Sequence, residues 1–263
     1  MNKLKTLLAV LFSCGLLLVG CNKGGDDTSS ENTPTNSETS QLTPLQQALQ
    51  VTRDDFRAIN FTYNMTVNTV TPDGNVLLNQ TTEFDNNKIH LDYTETSYLH
   101  PQSHSEMYFE TGDVTYMYQK ISEQWTKTAY PMDLSVNPDN SFMGYAQLMS
   151  ALEQKATLVD GYFYAENVTI QINIDDFLSR TMDDFSGYTK SPEKVDYTYE
   201  YVKIGVENNH ISFIELKTYA YQVQSNEELH TVTVIKDTNT VSVTRLSNFT
   251  KFGTTVVTLP TVA

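Results

Sequence analysis

Cysteine is nearly absent: Cys14 and Cys21 are the only two in 263 residues. That excludes a disulfide framework, a C-x-x-C redox pair and a thiolate zinc site. Positive charge is also scarce, with 17 Lys and Arg against 32 Asp and Glu and a net charge of −15. Phosphate recognition needs clustered Lys and Arg, so no nucleic-acid partner is expected. The same balance argues against anionic headgroups being bound through a folded domain. No apolar run reaches the roughly 20 residues of a spanning helix. Chemistry-bearing motifs are missing as well: there is no G-x-S-x-G elbow, no phosphate-cradling Gly-rich loop and no Ser-x-x-Lys set. His100 and His104 flank Pro101 and Ser103 in a loop, and there is no H-E-x-x-H, so neither a metal nor a cofactor is expected. The chain is expected to be no enzyme. What is present, 39% hydrophobic and 11% aromatic residues, suffices for a core.

The first twenty residues carry the most specific signal. Lys3 and Lys5 precede an apolar stretch of 13 residues, Leu7 to Val19, with the dimensions of a secretory signal peptide. Leu18-Val19-Gly20-Cys21 follows and resembles the bacterial lipobox. That resemblance implies a diacylglycerol on the Cys21 sulfur, palmitate-like acyl chains, and cleavage before Cys21. The chain is then held by lipid on the extracytoplasmic face of a cell membrane, since each buried methylene contributes about 0.8 kcal/mol. Removing residues 1–20 takes Lys3 and Lys5 with it and leaves 15 basic residues against 32 acidic ones, a formal charge of −17. Residues 21–42 comprise Cys21 and a segment almost without apolar side chains, read as a disordered tether with a reach of about 25 Å.

Residues 43–263 read as one domain. Thr43 as N-cap, Pro44 at the first helical position and Gln46 three residues after the cap predict a helix over 44–58. Leu45, Ala48, Leu49, Thr52, Phe56 and Ile59 lie on one of its faces. From Asn60 the period falls to two, and six short strands divided by turn residues predict an antiparallel meander up to residue 129. Two amphipathic helices are expected after Ser141 and Asn173, separated by a strand near 162–172. The hairpin 195–223 turns at Asn208-Asn209. A two-residue turn there places Glu200 opposite Lys217 and Tyr201 opposite Leu216, with Tyr197, Tyr199, Tyr201 and Ile214 on the buried side. Strands near 229–236, 240–246 and 255–259 close the chain.

Tyr116-Met117-Tyr118 followed by Trp125-Thr126-Lys127, and Leu246 to Gly253 followed by Val256, Leu259 and Pro260, match segments of a known family. With the order of elements over 44–260, the chain resembles the lipoprotein-localisation-factor (LolA-like) superfamily. It is nearest in style to the lipidated branch of the mycobacterial LppX and LprG lipoproteins. The resemblance implies an α+β fold: a curved antiparallel half-barrel of about ten or eleven strands with helices packed on its concave face. It also implies a non-enzymatic carrier or chaperone for the acyl chains of a lipid or lipoprotein. Candidates to line such a space are Met65, Val67, Leu91, Tyr93, Met107, Phe109, Tyr116 and Tyr118 on strands, with Leu148, Met149, Phe177 and Met182 on helices. Methionine at 65, 107, 149 and 182 favours a pliable pocket, since Met repacks around varied shapes. The alternative is a filled core in an envelope interaction or sensor module that binds a protein or glycan through Tyr-rich strands.

Overall fold

A computed structural model of the chain describes residues 43–57, 60–98, 101–130, 145–178 and 185–262. Residues 1–42, with the signal segment, Cys21 and the tether, lie outside the described residues, as does Met182.

The first element follows from a reciprocal cap. The Thr43 amide donates to Gln46 Oε1 (2.9 Å) and the Gln46 amide to Thr43 Oγ1 (3.2 Å), as the capping box requires. Helix α1 runs Pro44–Arg57 and buries Leu45 and Ala48. Ile59 lies outside the described residues, as do the side chains of Leu49, Thr52 and Phe56.

The period-two segments then form β1 (Asn60–Thr71), β2 (Gly74–Asp85), β3 (Lys88–Ser97), β4 (Ser103–Glu110), β5 (Thr115–Ile121) and β6 (Gln124–Tyr130). Each pairs antiparallel with the next, so the predicted meander is present. Pro72-Asp73 turns the first hairpin, with Thr71 opposite Gly74. Only glycine suits position 74: its φ is +142°, and an added Cβ would stand 2.8 Å from the Tyr98 Cβ.

Helix α2 (Tyr145–Lys155), the short β7 (Thr157–Val159), β8 (Tyr162–Asn173) and helix α3 (Ile174–Leu178) follow. They lead to β9 (Thr189–Lys190), β10 (Lys194–Glu207), β11 (His210–Asn226) and β12 (Thr231–Thr250). Eleven of the strands make one unclosed path in the order β6-β5-β4-β3-β2-β1-β12-β11-β10-β8-β7, and β9 pairs with β12 in parallel. The two meanders meet where Met65 stands opposite Leu246 and Val70 opposite Val241. Among described elements, α1 neighbours β11, α2 neighbours β8, and α3 neighbours β8 and β12.

Four expectations are corrected. Among the described residues the sheet has twelve strands rather than about ten or eleven, and two of them, β7 and β9, carry no sequence pattern of their own. The segments 229–236 and 240–246 are one strand, kinked where the register jumps from Tyr219↔Val241 to Ala220↔Asp237. The extra residues are held by Asp237, whose carboxylate accepts from the Asn239 amide (2.9 Å) and the Thr240 hydroxyl (2.8 Å). In the hairpin β10–β11 the turn is as expected, but Ser212 and Glu200 are bulged. Tyr201 therefore pairs with Lys217 and Val202 with Leu216, which moves Tyr201 to the face opposite Tyr199. The Glu200–Lys217 ion pair forms all the same.

The fourth correction concerns 255–259, which forms no strand. The chain passes round the start of β1 instead. Phe252 stacks on Phe61 (5.7 Å) and Phe249 on Tyr63 (6.0 Å), on the side of the core. Thr255 then meets Thr62 on the other face, hydroxyl to hydroxyl at 3.2 Å. The Asn60 amide imitates a strand neighbour: Nδ2 donates to the Thr255 carbonyl (2.8 Å) and Oδ1 accepts the Thr255 amide (2.6 Å). Asp85 takes the Val257 amide at 3.1 Å. Thr255 and Val257 are buried in this clasp.

Candidate functional site

Residues directly paired in an antiparallel ladder share a face, so the register assigns the two faces. The core face carries Phe61, Tyr63, Met65 and Val67 on β1, Phe84 on β2, Ile89 and Leu91 on β3, and Met107 and Phe109 on β4. It continues through Leu246, Ile214 and Ile204. These residues form one apolar cluster with Leu45 and Ala48 of α1, Leu148 and Leu152 of α2, and Ile174, Phe177 and Leu178 of α3.

Of the predicted lining residues, Met65, Val67, Leu91, Phe109, Leu148 and Phe177 are buried in that cluster. Tyr93 and Met107 are half-buried against it. Met117, absent from the prediction, joins them because it pairs with Phe109. Tyr93, Met107 and Met117 thus give the core face a partly open margin on β3 to β5. At the opposite side Phe177 lies against both Tyr197 and Tyr221, with centroids at 5.9 and 5.8 Å, and those two rings stack on each other at 4.6 Å. The Lys190–Asp175 ion pair ties α3 to β9. The Met149 side chain lies outside the described residues.

Tyr116 and Tyr118 are not on the core face. They pair with Glu110 and Tyr108 and so face outward. All three residues 116–118 are apolar in character, so alternation alone did not choose between faces. There the Tyr118 hydroxyl donates to Glu110 (2.8 Å) and Lys127 Nζ also donates to Glu110 (2.9 Å). The Lys127 ammonium lies over the rings of Tyr116 (4.2 Å) and Tyr118 (5.0 Å). Its hydrogen bonds to Tyr118 and Glu110 push the Lys127 ammonium above the usual lysine range. The bonds from Lys127 and Tyr118 hold the Glu110 carboxyl below the carboxylate range.

The outer face holds two further clusters. His90 stands between Glu83 (Nδ1 to Oε2, 2.8 Å) and Glu106 (Nε2 to Oε1, 3.1 Å) and stacks on Tyr108 at 4.4 Å. Burial first, then the bond to Glu106, raises the Tyr108 phenol. Around Glu215, Lys203 Nζ and Arg245 Nη1 donate at 3.1 and 3.0 Å, and the Tyr201 hydroxyl donates at 3.1 Å. Desolvation is the largest single influence on Glu215 and acts upward, but the three donors together outweigh it and lower its pKa. Burial and Glu215 push the Tyr201 phenol up to about 12. Neither cluster was singled out from the sequence, although the turn at Asn86-Asn87 alone fixes Glu83 opposite His90.

Among the described residues no group of three or more His, Cys, Asp or Glu side chains is placed to hold a metal ion. No described helix is long and apolar enough to cross a membrane.

No protein-family model matches the chain, and no curated protein matches it. Among solved structures, a DUF1329 family protein from Desulfovibrio piger is similar over 78% of this chain and 90% of its own, at 8% identity and a TM-score of 0.27. Nothing further rests on a likeness of that size.

Proposed function

We propose that the protein is a lipoprotein of the cell envelope, anchored through lipid on Cys21, that shelters an apolar ligand such as acyl chains without catalysing a reaction. In this reading the sheet is a curved half-barrel and the helices lie across its hollow. The resemblance to lipoprotein-localisation factors supports it, as does the lipobox. The observation that carries it is the half-buried margin Tyr93–Met107–Met117 beside the buried centre of the core face. Two methionines at the edge of a continuous apolar surface suit an occupant of variable shape. The test is organic extraction of purified residues 43–263 followed by mass spectrometry. Stoichiometric lipid is expected; lipid-free protein rules the carrier out.

A second reading has its own support. Met65, Val67, Phe109 and Leu148 are at most 3% exposed, which suits a filled core. Aromatic side chains meanwhile line the outer face. An envelope interaction module that binds a protein or glycan partner through that face predicts lipid-free protein in the same extraction.

A further inference from the structure

The Glu83–His90–Glu106 arrangement has more acceptors than a neutral imidazole can satisfy. A neutral ring has one N–H, and an ionised carboxylate only accepts. Both ring nitrogens nevertheless lie at hydrogen-bond distance from carboxylate oxygens, at 2.8 and 3.1 Å. Both bonds form together only when the group holds an additional proton, as the imidazolium between two carboxylates does.

The three side chains come from β2, β3 and β4, so the proton joins three neighbouring strands on the outer face. They are partly exposed, at 17% for His90, 25% for Glu83 and 32% for Glu106, so the proton exchanges with solvent. Tyr108 donates its hydroxyl to the same Glu106 Oε1 at 2.7 Å and lies flat on the His90 ring. Its other neighbour is Trp125 of β6, edge-on at 5.3 Å and the only tryptophan of the chain. Further charged side chains share this face, among them Asp85, two residues along β2 from Glu83, and Glu110, which accepts from Tyr118 and Lys127. Lys251, beyond β12, lies 3.7 Å from Glu83. Tyr118 and Lys127 continue the cross-strand row of His90 and Tyr108. Lys120 lies over the Trp125 ring, and on β3 itself Lys88 and Asp92 flank the site, Asp92 being paired with His104 at 2.7 Å.

We propose that Glu83, His90 and Glu106 form a proton-operated latch on the outer face, and that Trp125 reports its state through Tyr108. With the proton bound, both bonds hold β2, β3 and β4 in register. When it leaves to solvent, an N–H bond breaks and no other covalent bond changes. One carboxylate then faces a ring lone pair, and the His90–Tyr108–Trp125 stack relaxes.

The test follows Trp125 emission of the purified protein between about pH 5 and 8.5, with far-UV circular dichroism in parallel. A transition of about one proton is expected while the dichroism stays flat. His90→Asn abolishes it and His104→Asn leaves it in place. Glu106→Gln moves the transition to lower pH, because it removes a charge that favours the imidazolium. The latch is overturned if His90→Asn keeps the transition, if the wild type has none, or if dichroism changes in step with emission. Should His90→Asn fail to fold, ring nitrogen NMR of the wild type decides. Two N–H signals from His90 at about pH 6 uphold the latch, and a single one refutes it.

Discussion

Replacing Asn60 with Ala tests the clasp between the first strand and the C-terminal segment. The change deletes both bonds to the Thr255 backbone, at 2.8 and 2.6 Å, and a longer contact from Nδ2 to Asp85 at 3.4 Å. Thr255 is only 3% exposed, so its N–H and C=O lose partners that water replaces poorly. Each buried polar group left unpaired costs about 1–3 kcal/mol. Asn60 is itself half-buried and admits some water, so the sum falls at about 2–4 kcal/mol rather than at the top of the range. For a domain of this size each kcal/mol moves Tm by roughly 2–4 °C, which gives a fall of about 4–16 °C. Asn60→Asp keeps the acceptor, loses the donor and sets a second carboxylate beside Asp85, so at neutral pH it falls at least as far. Asn68→Ala, at an exposed position of the same strand, is the control. Thermal unfolding followed by circular dichroism gives the comparison. An Asn60→Ala shift no larger than that of Asn68→Ala refutes the clasp.

Phe84 is 1% exposed and its ring lies 5.0 Å from Phe61 and 6.1 Å from Tyr63, so Phe84→Ala opens a core cavity. A loss of about 3–5 kcal/mol in denaturant unfolding is expected, and a loss under about 1 kcal/mol contradicts the packing. Glu215 has a lowered pKa, so its stabilisation is present above the ordinary glutamate range and is lost as pH falls through the native value. Glu215→Gln therefore destabilises at neutral pH and flattens the decline of Tm on acidification; parallel curves for the two proteins contradict this. Cys21→Ser is expected to abolish incorporation of labelled fatty acid and to release the protein from the membrane fraction. Unchanged label or unchanged membrane association removes the lipid anchor from the account.

Local rules carried most of the architecture. The Thr43–Gln46 cap, the Pro72-Asp73 and Asn86-Asn87 turns and the period-two strands between them are each decided by residues close in sequence. The errors arose where long-range pairing decides. A bulge at Glu200 or Ser212 inserts one residue without any composition signal, and one inserted residue sends Tyr201 to the opposite face. In β5 the run Tyr116-Met117-Tyr118 is apolar on both parities, and only the pairing of Met117 with Phe109 assigns its faces. The C-terminal segment alternates like a strand, yet Asn60 and Asp85 supply the donors and acceptors a ladder would have used. For the candidate site, the buried centre was legible as hydrophobic alternation. Tyr93 and Met107 of its half-open margin were named as well, but Met117 and the exposure of all three were not legible, because exposure depends on how far neighbouring elements reach over β3 to β5.

The carrier reading stands most directly on whether an acyl chain contacts the core face. A photoactivatable fatty acid bound to the purified protein and mapped by peptide mass spectrometry answers it. Cross-links concentrated at Tyr93, Met107 and Met117 are expected, with competition by unlabelled fatty acid. Cross-links scattered over the outer face, or none that compete, contradict it.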